Sequence, residues 1–130
     1  MILLDTHIWI RWLSAAQPLP PALVDLIENA EQVTISAISC WEVAYLAKRH
    51  RLDLKRDARS WISAALARSE LGCIPVCSEI AATAAELPDH HRDPADRIII
   101  ATALVNDCQL VSFDDSFRHY GELAGRLIAT

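Results

Sequence analysis

The chain has 130 residues, of which 52% are hydrophobic, and a formal net charge of -5. This length suits one domain that buries roughly two thirds of its unfolded surface, so we expect a single domain over residues 1–130. The negative charge argues against a protein held to nucleic acid by bulk electrostatics, and no apolar run approaches the ~18 residues of a membrane span. The four cysteines lack disulfide-framework or zinc-ribbon spacing, which favours reduced thiols in a cytoplasmic protein.

Predicted strands and helices alternate along the chain, which indicates an α/β fold with a parallel sheet covered on both faces. Ser39 and Glu42 form a capping-box pattern at one helix start, and Gly72 is placed to close a later helix. Asp93 before Pro94 predicts another helix start, because aspartate is a favoured N-cap and proline a favoured first helical residue. The predicted strands are 1–4, 32–36, 73–76, 109–113 and 127–128, and the predicted helices are 6–13, 21–31, 39–50, 57–69, 78–87, 94–105 and a turn at 115–120.

Four acids occupy comparable places in this pattern: Asp5 after the first strand, Glu42 just after the second, Asp96 at a helix start and Asp114 after the late strand. Parallel strands bring their carboxyl ends to one edge, where gathered carboxylates repel one another unless a cation compensates. Hard divalent cations prefer oxygen ligands, so the pattern predicts metal-assisted phosphodiester cleavage. Two of the acids also have a structural explanation: Glu42 completes the capping box, and Asp96 favours the positive helix end. Asp5 and Asp114 directly follow apolar strands, where an acid gains nothing obvious from packing.

Basic residues are concentrated in one segment between residues 48 and 59, which carries a net charge of +4 while the rest of the chain carries -9. This segment is either a solvated face or a track for a polyanion, and Lys48, Arg49 and Arg51 are its candidate RNA contacts. Arg97 is predicted to pair with Asp93 at helical spacing, with a phosphate contact as the alternative.

Three sequence blocks together resemble the PIN-domain family, and more narrowly the VapC-type toxins of bacterial toxin–antitoxin pairs. These blocks appear in the family's order and nearly span the chain: LLDTHIWI, SAISCWEVAYLAKRHRL and HRDPADRIIIATALVNDCQLVSFDDSF. The resemblance implies a three-layer α/β/α fold with a central, mainly parallel sheet of four to five strands. It also implies endonucleolytic cleavage of RNA with Mg²⁺ or Mn²⁺ at an acidic cluster.

The residues that match the family's motif acids are those already singled out. By this resemblance Asp5, Glu42, Asp96 and Asp114 are the expected catalytic and metal-binding acids. Asp93 matches a less regular acid of the family and is a secondary metal-ligand candidate, since its helix cap also accounts for it. The hydroxyls of Thr6 and Ser112 stand beside the acids, where they are suited to orient a ligand or bound water.

The resemblance also implies partners, namely an RNA substrate, a small cognate antitoxin and a second copy of the chain. Trp9 and Trp12 share a helix face and are core residues or, alternatively, the first candidates for a homodimer interface. A P-loop or dinucleotide site is excluded because three glycines build neither motif. A DNA-directed metal nuclease and a catalytically silent PIN-like binding module remain as alternatives.

Overall fold

A computed structural model describes residues 1–14, 16–68 and 71–129 of the chain. Two short 3-10 turns, Asp115–His119 and Gly121–Leu123, lie between the fourth and fifth strands. In chain order the strands and helices are β1 (Ile2–Leu4), α1 (Thr6–Trp12), α2 (Pro21–Glu28), β2 (Val33–Ser36), α3 (Ala37–Lys48), α4 (Ala58–Ala67), β3 (Leu71–Ile74), α5 (Ser78–Glu86), α6 (Pro94–Val105), β4 (Gln109–Ser112) and β5 (Leu127–Ala129).

The five strands form one sheet in the order β3-β2-β1-β4-β5, and every neighbouring pair is parallel. β1 occupies the centre, and all three of its residues are buried. Because all strands run the same way, the chain leaves β1, β2 and β4 at the same edge of the sheet. The predicted α/β architecture with its parallel sheet is confirmed.

Side chains of β1 alternate between two cores, one on each face of the sheet. Leu4 packs in the core that contains Trp9 of α1 and Ile27 of α2, whereas Leu3 packs in the core that contains Ile100 of α6. Helices therefore cover both faces, as the three-layer prediction requires. Among the described residues, no helix has the length and apolar content needed to cross a membrane.

The interpretation of Trp9 as a core residue is confirmed, and its alternative interpretation as an interface residue is wrong. Its side chain is fully buried, and its ring meets that of Trp61 of α4 edge to face, with 5.0 Å between the ring centroids. The packing of α1 against α4 uses the whole indole, so no part of it remains for a partner. Trp12 is only partly buried and packs at the border of the same core.

The capping box at Ser39 and Glu42 is also wrong, because α3 begins earlier. The side chain of Ser36, the last residue of β2, accepts a hydrogen bond from the Ile38 amide and caps α3. Gly72 does not close α4 but lies within β3, where an added Cβ would come within 3.2 Å of Thr34 Cγ2. The predicted end of that helix at Ser69 lies outside the described residues.

The predicted start of α6 is confirmed. The Asp93 carboxylate accepts a hydrogen bond from the Ala95 amide at 2.9 Å, and Pro94 is the first helical residue. From Ile99 to Ala103 every residue is buried. This burial fixes the first turn of α6 relative to the sheet edge, and with it the direction of the Asp96 side chain.

Candidate active site

Asp5 lies at the junction of β1 and α1 and is 3% exposed. Its Oδ1 accepts a hydrogen bond from the Thr6 amide at 2.8 Å, and its Oδ2 accepts one from the Ser112 hydroxyl at 2.6 Å. Burial raises the pKa of Asp5 above its ordinary value, although these hydrogen bonds and nearby His7 oppose the shift. The carboxylate is therefore held rigidly at the centre of the sheet edge.

Glu42 reaches the same edge from the middle of α3. Its Oε1 accepts a hydrogen bond from the Thr6 hydroxyl at 2.5 Å, and the Thr6 hydroxyl lies 2.8 Å from the hydroxyl of buried Ser39. Since Thr6 gives its only hydroxyl proton to Glu42, Ser39 is the donor in the second contact. Ser39 and Thr6 thus form a chain of hydroxyls that fixes Glu42.

Asp96 lies one turn into α6 and is surrounded by other acids. Glu42, Asp93 and Asp96 each offer an oxygen atom, and these three atoms lie within 4.8 Å of one another. Burial, reinforced by the negative charges of Asp5, Asp93, Glu42 and Asp114, raises the pKa of Asp96 to about 7. No hydrogen-bond donor reaches the Asp96 carboxylate within the described parts of the chain.

Asp114 follows β4 and is held by a histidine that the sequence did not point to. Its Oδ1 accepts hydrogen bonds from the Ser116 amide at 2.9 Å and the Ser116 hydroxyl at 2.5 Å. His91 Nε2 lies 2.6 Å from that hydroxyl and 3.5 Å from Asp114 Oδ2. Burial raises the pKa of Asp114, but the contacts with Ser116 and His91 outweigh it, so the pKa is lowered overall.

His91, Asp96 and Asp114 form a second group whose potential ligand atoms lie within 4.8 Å of one another. Asp96 belongs to both groups and joins them. His91 was missed because its only local signal was a neighbouring histidine in a polar loop, and the loop residue meets Asp114 only in the folded chain. Its position is set by Tyr120, whose hydroxyl accepts a hydrogen bond from the His91 amide at 2.9 Å.

Ser112 and His7 connect the two strands that carry Asp5 and Asp114. The Ser112 hydroxyl donates to Asp5 and accepts a hydrogen bond from the Asp114 amide at 3.0 Å. His7 Nε2 accepts a hydrogen bond from the Phe113 amide at 3.0 Å, and His7 Nδ1 lies 3.4 Å from Asp5 Oδ2. These contacts hold the two acids in register at the ends of β1 and β4.

The predicted pairing of Arg97 with Asp93 is wrong, and Arg97 is not placed to contact RNA. Its side chain is 11% exposed. Its three guanidinium nitrogens donate to five backbone carbonyls at the end of α5 and in the following loop, those of Ala84, Ala85, Leu87, Pro88 and His91. The last carbonyls of a helix lack partners within it, so Arg97 satisfies groups that would otherwise need water.

The three other basic candidates are exposed at the end of α3 and just beyond it. Lys48 is the last residue of the helix and Arg49 its C-cap, while Arg51 follows in the loop. Positive charge is favourable at a helix C-terminus, so local electrostatics alone account for part of this cluster. All three side chains are on the surface, where a polyanion has access to them.

The acid cluster has the composition of a divalent-cation site. Five carboxylates influence one another at one edge, and no hydrogen-bond donor within the described residues reaches Asp96. Carboxylate oxygens are the ligands that Mg²⁺ and Mn²⁺ prefer. A cation beside Asp96 would offset the negative charges that, together with burial, raise its pKa, so the residues present fit such an ion.

Sequence comparison identifies the class of protein that carries this fold and site. The family model for the PIN domain matches residues 2–123, and the chain belongs to that family. Among individual proteins it is similar to Ribonuclease VapC22 of Mycobacterium tuberculosis (strain ATCC 25618 / H37Rv). The two are 34% identical over 120 residues, which cover 92% of this chain and 91% of that protein.

Solved structures show the same fold. VapBC2 from Rickettsia felis, solved bound to a DNA fragment from its promoter, matches with a TM-score of 0.73 and 20% identity over 99% of this chain and 98% of the other. A toxin–antitoxin complex from Klebsiella pneumoniae matches with a TM-score of 0.65 and 22% identity over 99% and 97% of the two chains. At these identities the likeness establishes the three-layer architecture.

Proposed function

We propose that the chain is a Mg²⁺- or Mn²⁺-dependent endoribonuclease of the VapC type that acts as the toxin of a toxin–antitoxin pair, with residues 1–130 as one PIN-like domain. The observation that carries the proposal is the convergence of four other carboxylates on Asp96. Burial together with these negative charges raises its pKa to about 7. Membership of the PIN-domain family and similarity to a VapC ribonuclease support RNA as the substrate class.

In this proposal Asp5, Glu42, Asp96 and Asp114 hold the metal, and Asp93 contributes from the helix cap. The bound ion would make a water molecule more acidic and stabilise negative charge on the scissile phosphate. Because Asp96 belongs to both groups of candidate ligands, it is the residue best placed to serve two ions if two bind. The hydroxyls of Thr6 and Ser112 orient Glu42 and Asp5 and so preserve the spacing of the acids.

The proposed partners are a small antitoxin protein and a second copy of the chain. Both similar structures are toxin–antitoxin complexes, which supports an antitoxin for this chain. An antitoxin that presents an arginine or lysine to the acids would neutralise them and compete with the metal. We place the protein in the cytoplasm because its proposed substrate is cellular RNA.

The test is cleavage of a mixed pool of structured RNA by purified protein with Mg²⁺, with Mn²⁺ and with EDTA. We expect cutting in either metal and none in EDTA. Asp5→Asn and Asp96→Asn, prepared identically, remove a metal-binding charge with almost no change in shape and should abolish cutting. Equal activity of wild type, Asp5→Asn and Asp96→Asn would mean that the cutting does not come from these acids, as with a contaminating ribonuclease, and would contradict the proposal. Metal-dependent cutting of DNA but not RNA would instead favour a DNA-directed nuclease.

A further inference from the structure

Two aromatic side chains and an arginine form a stacked row on the outer face of α3. Trp41 is 54% exposed and Tyr45 is 38% exposed, and their rings lie 5.0 Å apart between centroids with only 15° between the planes. The Arg49 guanidinium carbon lies 5.2 Å from the centroid of the Tyr45 ring. The three residues are four apart in sequence, so each lies one helical turn beyond the previous one.

Packing within the chain does not account for this row. The buried residues of α3 are Ser39 and Val43, which lie on the opposite side of the helix. Arg49 and Trp41 are one turn away from Tyr45 in opposite directions and both contact its ring. Tyr45 is the one aromatic partner of Trp41 among the described residues, and more than half of Trp41 is exposed. A large aromatic held flat and exposed by its neighbours is preorganised to accept another planar group.

The row lies on the same helix as Glu42, one of the clustered acids. Glu42 follows Trp41 in the chain, and about 60° of rotation around the helix separates it from Tyr45. The Trp41 end of the row points toward the start of α3, where β2 leaves the sheet edge that carries the acids. At its other end the row meets the positive charges of Lys48, Arg49 and Arg51.

We propose that Trp41 and Tyr45 form a base-stacking subsite for single-stranded RNA, with a nucleobase on the open face of Trp41 and the backbone phosphates near Lys48, Arg49 and Arg51. The inference rests on the proposed function and adds to it a means of positioning the substrate. Bases of unpaired RNA stack on aromatic side chains and arginine planes.

Charge favours RNA over a protein as the occupant. The acids repel a phosphate backbone unless metal is bound, whereas the basic residues at the end of the row attract it. A strand that follows the row would therefore have a favourable charge at one end and the metal site at the other. The guanidinium that ends the row lies beside two further positive charges, those of Lys48 and Arg51, which complement a phosphate backbone.

The first arm of the test measures binding of a labelled single-stranded RNA of about ten nucleotides by fluorescence anisotropy in EDTA, where cleavage is suppressed. We expect Trp41→Ala to weaken binding about tenfold or more and Trp41→Phe to retain most of it, since phenylalanine keeps a stacking face. Tyr45→Phe should bind as wild type does, because the ring and not the hydroxyl supports Trp41. Wild-type affinity in Trp41→Ala would overturn the proposal.

The second arm changes the RNA instead of the protein, so its effect on wild-type binding does not depend on how any variant folds. RNAs with one abasic nucleotide at successive positions are compared in the same assay. We expect one position at which loss of the base weakens wild-type binding but leaves the Trp41→Ala affinity unchanged, because the two changes remove the same contact. Equal affinity for every abasic RNA would overturn base stacking.

Cleavage assays separate this proposal from the proposed function. If cutting depends on metal and requires Asp96, but KM is the same for wild type and Trp41→Ala, the nuclease proposal stands and the base-stacking subsite is overturned. An increase in KM with little change in kcat supports the subsite. No cutting by wild type would overturn both. A dimer that dissociates in Trp41→Ala, with RNA affinity unchanged, would assign the row to a protein interface and overturn the RNA proposal.

Discussion

Asp96 and Arg97 are neighbours in the first turns of α6, but their surroundings are opposite. Asp96 lies among four other carboxylates, and no hydrogen-bond donor within the described chain reaches it. Arg97 points the other way, where five backbone carbonyls accept its hydrogen bonds. Among the described residues, the negative charge of Asp96 is therefore uncompensated, whereas the donors of Arg97 all have acceptors.

This difference separates a binding role from a structural one. A carboxylate whose charge nothing compensates stabilises the fold less than a neutral residue would, and so it is suited to a site that a cation completes. A guanidinium whose donors are all used stabilises the segment that it contacts. Here that segment contains His91, so Arg97 also fixes the histidine that holds Asp114.

The largest expected effect is on stability when Arg97 is replaced. Arg97→Ala leaves five carbonyls without their donor, and we expect it to lower the free energy of unfolding by about 3 kcal/mol. Urea unfolding in EDTA measures this change. Arg97→Lys should recover only part of the loss, because an ammonium does not span carbonyls that a planar guanidinium reaches.

A second arginine provides the control for this variant. Arg118 is 60% exposed, and its contact is an ion pair with Asp115 at 3.7 Å. Arg118→Ala should change stability by less than about 0.5 kcal/mol. If Arg97→Ala were as mild as Arg118→Ala, the structural role of Arg97 would be contradicted.

Asp96→Asn is expected to stabilise the metal-free protein. The folded-state pKa of Asp96 is about 7, above its ordinary value of 3.8, so the folded state binds more protons than the unfolded state between these limits. Stability is therefore lost as the pH rises from about 4 through about 7. Since Asp96 is partly exposed, we discount the effect to about 1 kcal/mol in favour of the variant above pH 7.

Thermal unfolding in EDTA at about pH 5 and about pH 8.5 checks this expectation. The gain should be larger at the higher pH than at the lower one, which lies only part of the way from 3.8 to about 7. Asp25→Asn provides the matched control, since Asp25 is exposed on α2, away from the sheet edge. An Asp96→Asn protein that is less stable than wild type at the higher pH would show that the cluster is not repulsive.

The smallest effect concerns how Asp114 is held. Ser116→Ala removes a hydroxyl donor that lowers the pKa of Asp114, and the pKa of Asp114 should therefore rise. We expect a loss of about 0.5 kcal/mol in stability near neutral pH. The stabilisation that depends on ionised Asp114 is present above pH 3.8 and is lost as the pH falls through the lowered pKa. Carboxyl NMR titration measures the shift, and Ser116→Thr should retain the wild-type value.

Local sequence signals predicted the strands and the start of α6. Asp93 and Pro94 fix that start through contacts within three residues, and apolar strands followed by acids placed Asp5 and Asp114 at the sheet edge. Parallel topology then predicted that the acids would meet. These features were predictable because each depends on neighbours in the chain or on a general rule of strand order.

Contacts between distant segments were not predictable in the same way. Ser39 looked like a cap, but Ser36 caps α3 and Ser39 contacts Thr6, which is 33 residues away. Arg97 looked like a partner for Asp93, but its acceptors lie 6 to 13 residues earlier, at an exposed helix end and loop. The sequence does not specify which of several possible partners a polar side chain meets after folding.

The central claim is that the carboxylates around Asp96 bind a divalent cation, and calorimetric titration of the wild-type protein with Mn²⁺ tests it most directly. In buffers of different ionisation enthalpy at about pH 7, binding should release protons, because a pKa of about 7 leaves Asp96 partly protonated before the metal binds. Asp96→Asn should remove both the proton release and most of the affinity. Absence of binding, or equal binding and proton release in Asp96→Asn, would contradict the account.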